Sequence, residues 1–392
     1  MRGTSDDSVG VYWSPPNKSG EPVRVITSDT NALFSAGHLL WRSGTTLLSR
    51  PFNAGGLSGE ERPVVDSVGS NKSGRIFASA SASGVLAYAG PTPAAQLIWF
   101  DRSGKAEGPG EEVDATDMRL SPDGRRVATT RANGVFRDIW IAETGRPAAS
   151  RLTTAQGRHS FPVWSPDGKW VAYSSGRGLV RREAAGGGAE QRLLSPAFEQ
   201  SVSSDSALWP HDWSGDGRFL IFHALAKGTR RDLWLLEFTA EGTPLPPRLF
   251  ASSPFDEHFA RFAPGTNPKW VAYMSDETGR SEVYVRSFPE PNVKRQISTG
   301  GGAYPVWNRD GTAIYYVIGN KVMSVTLRMG TDSLEPSAAR EALGGVALDS
   351  DGLGAPFAVS PDGRILARVA RDPGPGAIEV VINWPGLRGA GQ

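Results

Sequence analysis

The sequence predicts an all-β protein: a β-propeller of four-stranded blades, eight in number, or seven if the weak first unit forms no blade of its own. Three observations predict it. The phrase Ser-Pro-Asp-Gly recurs at Ser121-Pro122-Asp123-Gly124, Ser165-Pro166-Asp167-Gly168 and Ser360-Pro361-Asp362-Gly363. Looser copies stand at Trp213-Ser214-Gly215-Asp216-Gly217 and Trp307-Asn308-Arg309-Asp310-Gly311. Short runs of β-branched and aromatic residues fill the intervals, parted by turn residues, and no stretch holds a helical period over several turns.

The turn glycines Gly37, Gly84, Gly124, Gly168, Gly217, Gly311 and Gly363, with a degenerate turn near Asn267, mark eight units. A spacing of roughly 40 to 52 residues is that of one four-stranded blade. Within a unit the first run after the turn is apolar, as in Val127-Ala128-Thr129, Val171-Ala172-Tyr173, Leu220-Ile221-Phe222 and Ile314-Tyr315-Tyr316. A second run follows, such as Asp138-Ile139-Trp140-Ile141 or Asp232-Leu233-Trp234-Leu235, and a third closes the unit, as Arg151-Leu152-Thr153 does. Both ends carry incomplete units, so residues 1–30 and 355–392 are expected to complete one closing blade of a single domain spanning 1–392. Such closure hides sheet edges that would otherwise pair with other chains.

The repeated tetrapeptide has a turn-making logic. Proline presets the first corner, aspartate bonds nearby backbone, and glycine takes the positive φ that ends the turn. Asp123, Asp167, Asp310 and Asp362 are therefore read as turn makers rather than catalytic acids. Trp164, Trp213, Phe262 and Trp307, each just before a turn, are expected to fill the wedges between blades.

Composition removes several function classes. The formal net charge of +1 disfavours broad capture of nucleic acid or anionic membrane. Without cysteine there is no disulfide, no Cys-ligated zinc, no iron–sulfur cluster and no thiol nucleophile. No run reaches the length of a membrane span, and Met1-Arg2-Gly3-Thr4-Ser5-Asp6-Asp7 has no apolar leader. The chain is expected to be a soluble monomer, cytoplasmic as written, or periplasmic or extracellular if it derives from a longer membrane-anchored protein.

The phrase Pro162-Val163-Trp164-Ser165-Pro166-Asp167-Gly168-Lys169-Trp170-Val171-Ala172-Tyr173 resembles the WD40-like repeat of the TolB β-propellers. From Lys269 onward the chain is similar to the propeller appended to bacterial serine/threonine protein kinases. Trp270-Val271-Ala272-Tyr273, the run Gly279-Arg280-Ser281-Glu282-Val283-Tyr284-Val285-Arg286-Ser287-Phe288-Pro289, and Ser298-Thr299-Gly300-Gly301-Gly302 carry this likeness. The kinase half is missing, with neither a Gly-rich phosphate loop nor a His-Arg-Asp loop. The resemblance implies a sensor or scaffold that binds a small molecule, a peptide or a protein. It does not imply a kinase.

Other catalytic signatures fail too. There is no Gly-x-Ser-x-Gly elbow, no Ser-x-x-Lys and no His-Glu-x-x-His. Asp349-Ser350-Asp351-Gly352 opens like a calcium loop but lacks the later ligands, and reads as a surface turn. The scarce histidines are more informative. His159, His211 and His258 all fall at the start of an innermost strand, in successive units, beside Asp212, Asp256 and Glu257, with Asp114 and Asp117 one unit earlier. His159, His211, His258 and Asp256 can be read as ligands of a divalent zinc, calcium or manganese ion in the central channel, with Glu257 or Asp212 as general base. That alternative reading is a hydrolase of esterase, lactonase or phosphotriesterase type. Set against it, His159 has the opposite strand parity unless a bulge intervenes. His38 and His223, on or near second strands, are read as structural or surface residues. Arg158, Arg181 and Arg182 are a weak signal for an anionic ligand.

Overall fold

A computed structural model describes residues 10–14, 21–28, 30–53, 56–70, 74–90, 95–113, 115–133, 136–144, 146, 148–155, 157–176, 178–202, 208–225, 230–330, 333–349, 354–370 and 378–386. They are almost entirely strand. The only α-helix among them is Pro196–Ser201, where Ser195 caps and a proline opens the first turn. Contacts divide the chain into two compact units, residues 1–94, 133–135 and 371–392, and residues 95–132 and 136–370.

The larger unit is built of six antiparallel sheets. We label their first strands β1 (Ala115–Leu120), β2 (Ser160–Trp164), β3 (Trp209–Trp213), β4 (Glu257–Phe262), β5 (Ala303–Trp307) and β6 (Phe357–Val359). Each lies against the next, and β6 lies against both β5 and β1, so the first strands form a closed cycle. The sheet of β6 is assembled from both ends of the unit: Phe357–Val359 and Ile365–Val369 pair onward to Ala95–Phe100 and Glu111–Val113. Between sheets lie separate apolar wedges. One packs Val163, Ala172 and Leu179 of the β2 sheet against Trp213, Leu220, Phe222 and Leu236 of the β3 sheet. Burying such side chains contributes roughly 1.5–3 kcal/mol each.

The turns take the geometry their residues dictate. Ser214 Oγ donates to Asp216 Oδ1 at 2.5 Å and accepts Phe219 N–H at 2.8 Å, while Gly217 sits at φ +76°. Ser121 and Ser165 repeat the pattern with Asp123 and Asp167, each at 2.6 Å. The Asp123 carboxyl is held below the usual range, chiefly by the Ser121 hydroxyl and then by the Arg125 amide. Gly124 (φ +70°) has a second reason to be glycine: a Cβ there would stand 3.0 Å from Pro361 Cδ of the neighbouring turn. Ser214→Ala leaves the buried Phe219 N–H without its acceptor. It is expected to cost about 1–3 kcal/mol, read as a lower urea midpoint at unchanged m-value.

The smaller unit holds a two-stranded sheet (Val11–Trp13 with Val23–Ile26), a five-stranded sheet begun by Leu33–Ser35 and His38–Ser43, and a three-stranded sheet. In the last, Ile378–Val381 pairs with Leu86–Ala89. Trp384 is buried among Leu40, Leu47, Leu86 and Tyr88, and its Nε1 donates to Ser35 Oγ at 3.1 Å.

Among the described residues, 357–369 joins 95–113, 378–381 joins 86–89, and Val11–Trp13 pairs with Val23–Ile26. Gly37 and Gly84 lie in the smaller unit, and the described residues of the larger unit form a cycle of six sheets. Turn chemistry is local, whereas the partner of an incomplete sheet is set by contacts hundreds of residues apart.

Candidate functional site

Five first strands share one irregularity. Each carries an extra residue relative to its partner: between Ala115 and Asp117, Ser160 and Val163, Pro210 and Asp212, His258 and Arg261, and Ala303 and Val306. In three of them the bulge holds an aromatic residue in the left-handed region: Phe161 at φ +61°, Phe259 at +53° and Tyr304 at +57°. Such a conformation costs a bulky L-residue about 1–2 kcal/mol. In β3 the equivalent position is Pro210, whose ring locks φ negative. There Trp209 supplies the aromatic instead, stacked on Phe161 at 4.0 Å between centroids. The bulges turn these rings out of the strand alternation and gather them where the strands begin.

Between β4 and β5 this gathering opens a cleft of about 540 Å³. His258, Phe259 and Tyr304 form one side, with ring centroids 4.6 Å apart for each successive pair. Met274, Val317 and Ile318 add apolar wall, and Gly300, Gly301 and Gly302 form a lip of bare backbone. Glu282 Oε1 accepts Gly301 N–H at 2.8 Å and pins that lip. Gly302 is required there, because a Cβ would meet Ser298 Oγ at 2.3 Å. Burial, with the Arg231 charge adding to it, pushes His258 down to about 3, so this ring is a neutral imidazole at physiological pH.

The expected metal ligands do not converge. His159 is buried against Tyr173; its Nδ1 lies 3.2 Å from the Arg137 carbonyl and 3.5 Å from Asp138 Oδ1. His211 Nε2 and His223 Nδ1 are hydrogen-bonded to each other at 3.0 Å, one ring donating and the other accepting, so those two nitrogens serve each other. Burial pushes both well below the usual histidine range. Asp256 pairs with Arg230 (3.2 Å) and Arg231 (3.5 Å). Among the described residues no group of three or more His, Cys, Asp or Glu side chains is placed to hold a metal ion. Asp114 and residues 350–352 of the calcium-like loop lie outside the described residues.

The two proposed bases have structural duties. Asp212 Oδ2 accepts the Phe262 N–H of β4 at 2.8 Å, tying adjacent first strands. Glu257 stands five residues before Phe262, as His159 stands five before Trp164. Each faces an acid on the third strand of the preceding sheet, Asp232 and Asp138 respectively. Glu257 accepts from the Ser253 hydroxyl, and burial, reinforced by the Asp232 charge, pushes its carboxyl up to about 7.

A solved structure described as a putative TolB from Agrobacterium tumefaciens superposes with a TM-score of 0.52 over 72% of this chain and 99% of that one, at 15% identity. Its fold is that of a TolB-like β-propeller. No protein-family profile matches the chain. An uncharacterized peptidase, YuxL, of Bacillus subtilis (strain 168) is 34% identical over 71 residues, 17% of this chain and 11% of that protein. The uncharacterized protein Atu1656 of Agrobacterium fabrum (strain C58 / ATCC 33970) is 28% identical over 81 residues, 20% of this chain and 28% of that protein. The chain thus spans well under two thirds of either curated relative.

In this TolB-like propeller, sequence reasoning missed the cleft aromatics and two arginines. His223, read from the sequence as structural or surface, is buried and structural: the bulge in β3 sets it opposite Trp209, and its ring bonds His211. Arg119 and Arg261 each stand immediately before the residue that precedes the turn, the position Asp212 holds in β3. The raised Glu257 carboxyl gives a testable slope. The folded state binds the extra proton between about pH 4.5 and 7, so this group's contribution falls as pH rises through that window. Glu257→Gln should therefore be more stable than the parent at pH 8 and nearly equal to it at pH 5, measured by urea unfolding at both values.

Proposed function

We propose that this TolB-like propeller is a binding module that seats a small molecule, or the end of a peptide, in the cleft between β4 and β5. The single observation that carries the reading is the repeated left-handed aromatic. Strain of this kind persists where the surroundings enforce it and concentrates at ligand sites, and here it builds a wall of rings opposite a glycine lip. A cleft of about 540 Å³ lies within the usual range for ligand pockets, roughly 300–1,000 Å³. The rings offer stacking area.

The test is a ligand-observed NMR screen of aromatic and heterocyclic fragments. Ile318→Trp, which fills the cleft from its rim, should abolish the hits seen with the parent protein. Tyr304→Ala should weaken them about tenfold, the loss of one ring contact of roughly 1–1.5 kcal/mol. Hits that survive Ile318→Trp unchanged would place the ligand elsewhere and sink the proposal.

A further inference from the structure

Charged side chains are 21% of the chain. Yet among the described residues no Asp, Glu, Lys or Arg lines the cleft between β4 and β5. Its histidine is a neutral ring as well, because burial and the Arg231 charge disfavour the imidazolium. The charges that reach His258 are held by other partners. Arg231 pairs with Asp256 at 3.5 Å, and Asp276 pairs with Arg230 at 2.9 Å while accepting the Asp256 N–H at 2.9 Å. Glu282, which pins the lip, has both oxygens taken, Oε2 by Ser298 Oγ at 2.5 Å and Oε1 by the Gly301 N–H.

Polar capacity is present all the same. Gly301 and Gly302 give their amides to Glu282 and to the Ser281 carbonyl. The His258 ring makes no hydrogen bond within the protein among the described residues; its neighbours there are the Phe259 and His223 rings. A neutral imidazole presents one N–H donor and one acceptor nitrogen. His258 lines the cleft half-buried, so both groups are available to an occupant. An ion entering such a cleft gives up part of its hydration and meets no counter-charge. An uncharged polar group loses far less and regains a hydrogen bond at the imidazole. The Phe259 and Tyr304 rings favour a flat partner.

We propose that this cleft selects an uncharged, planar ring whose hydrogen-bonding group meets His258, and that it turns away carboxylates and ammonium ions of the same size. The inference rests on the cleft being the ligand site.

Four benzene derivatives of similar size are the probes: benzamide, toluene, benzoate and benzylammonium, titrated by NMR at neutral pH and constant ionic strength. Benzamide should bind at least about tenfold more tightly than either ion, and about three- to tenfold more tightly than toluene. His258→Phe keeps a ring against Phe259 and removes the nitrogens. It should erase the advantage of benzamide over toluene and leave toluene unchanged. Ile318→Arg sets a cation at the rim, and should raise benzoate affinity by at least about threefold while lowering that of benzylammonium. Ions that bind as tightly as benzamide, with Ile318→Trp abolishing all of them, overturn the selectivity and leave the cleft as the site. Binding that survives Ile318→Trp removes the cleft itself and this inference with it. Failure of benzamide to bind also overturns the inference. Should His258→Phe fail to fold, the exchange of ion preference in Ile318→Arg decides it.

Discussion

The buried histidines are expected to withdraw stability from this protein from about pH 6 downward, well above the range in which surface carboxylates titrate. His211, His223 and His258 are neutral in the fold because burial disfavours their charged forms, and neighbouring Arg231, Arg261 and Arg119 add to the effect. The unfolded chain binds protons at these residues below about 6.5, while folded His258 resists until about 3. Stability therefore rises with pH through that window and is lost as pH falls. His258 alone accounts for about 2–5 kcal/mol between pH 7 and 3, discounted for its partial exposure. Glu257 slopes the other way between about 4.5 and 7, and so do Asp117, Asp212 and Glu199, whose carboxyls burial also raises, so the histidine effect is isolated by His258→Gln. Urea midpoints at pH 7.5, 6 and 4.5 should drop steadily, and His258→Gln should flatten the drop. A pH dependence unchanged in His258→Gln would show that this ring is not held neutral.

Phe259→Ala should be among the most damaging single changes. Phe259 is 3% exposed and touches His211, His258 and Tyr304. Truncating a buried phenylalanine costs about 3–5 kcal/mol, and alanine inherits the strained φ of +53°. Phe259→Gly removes the same ring but is free of that strain. The glycine variant should therefore recover about 1 kcal/mol relative to alanine. Denaturant unfolding of the two variants measures the difference. A glycine variant no more stable than the alanine variant would mean that the left-handed turn of β4 is not strained.

Legibility in the sequence followed the range of the forces involved. The Ser-Pro-Asp-Gly turns are made within five residues, and Ser165, Asp167 and Gly168 do in the structure what their chemistry dictates. The wedge role of Trp164 and Trp307 was legible for the same reason, because each precedes a turn. The register of Gln96 on Val369 was not, since it spans more than two-thirds of the chain and no local pattern announces it. The histidines were correctly placed at strand starts, yet strand parity alone could not aim them. An extra residue in β2, β3 and β4 redirects each ring, so that His159 meets Asp138, His211 meets His223, and only His258 lines the cleft. Reading down the column five residues before each turn aromatic would have paired His159 with Glu257 and revealed a structural position.

The measurement that tests the central claim most directly is a crystal structure of the protein soaked with the aromatic fragments that score in solution. The account predicts a fragment stacked against Phe259 and Tyr304, with His258 beside it and the 300–302 lip along its edge. Fragments found instead around Arg309 and Tyr315 on the turn side, or beside the helix at Glu199, with the cleft left open, would contradict it.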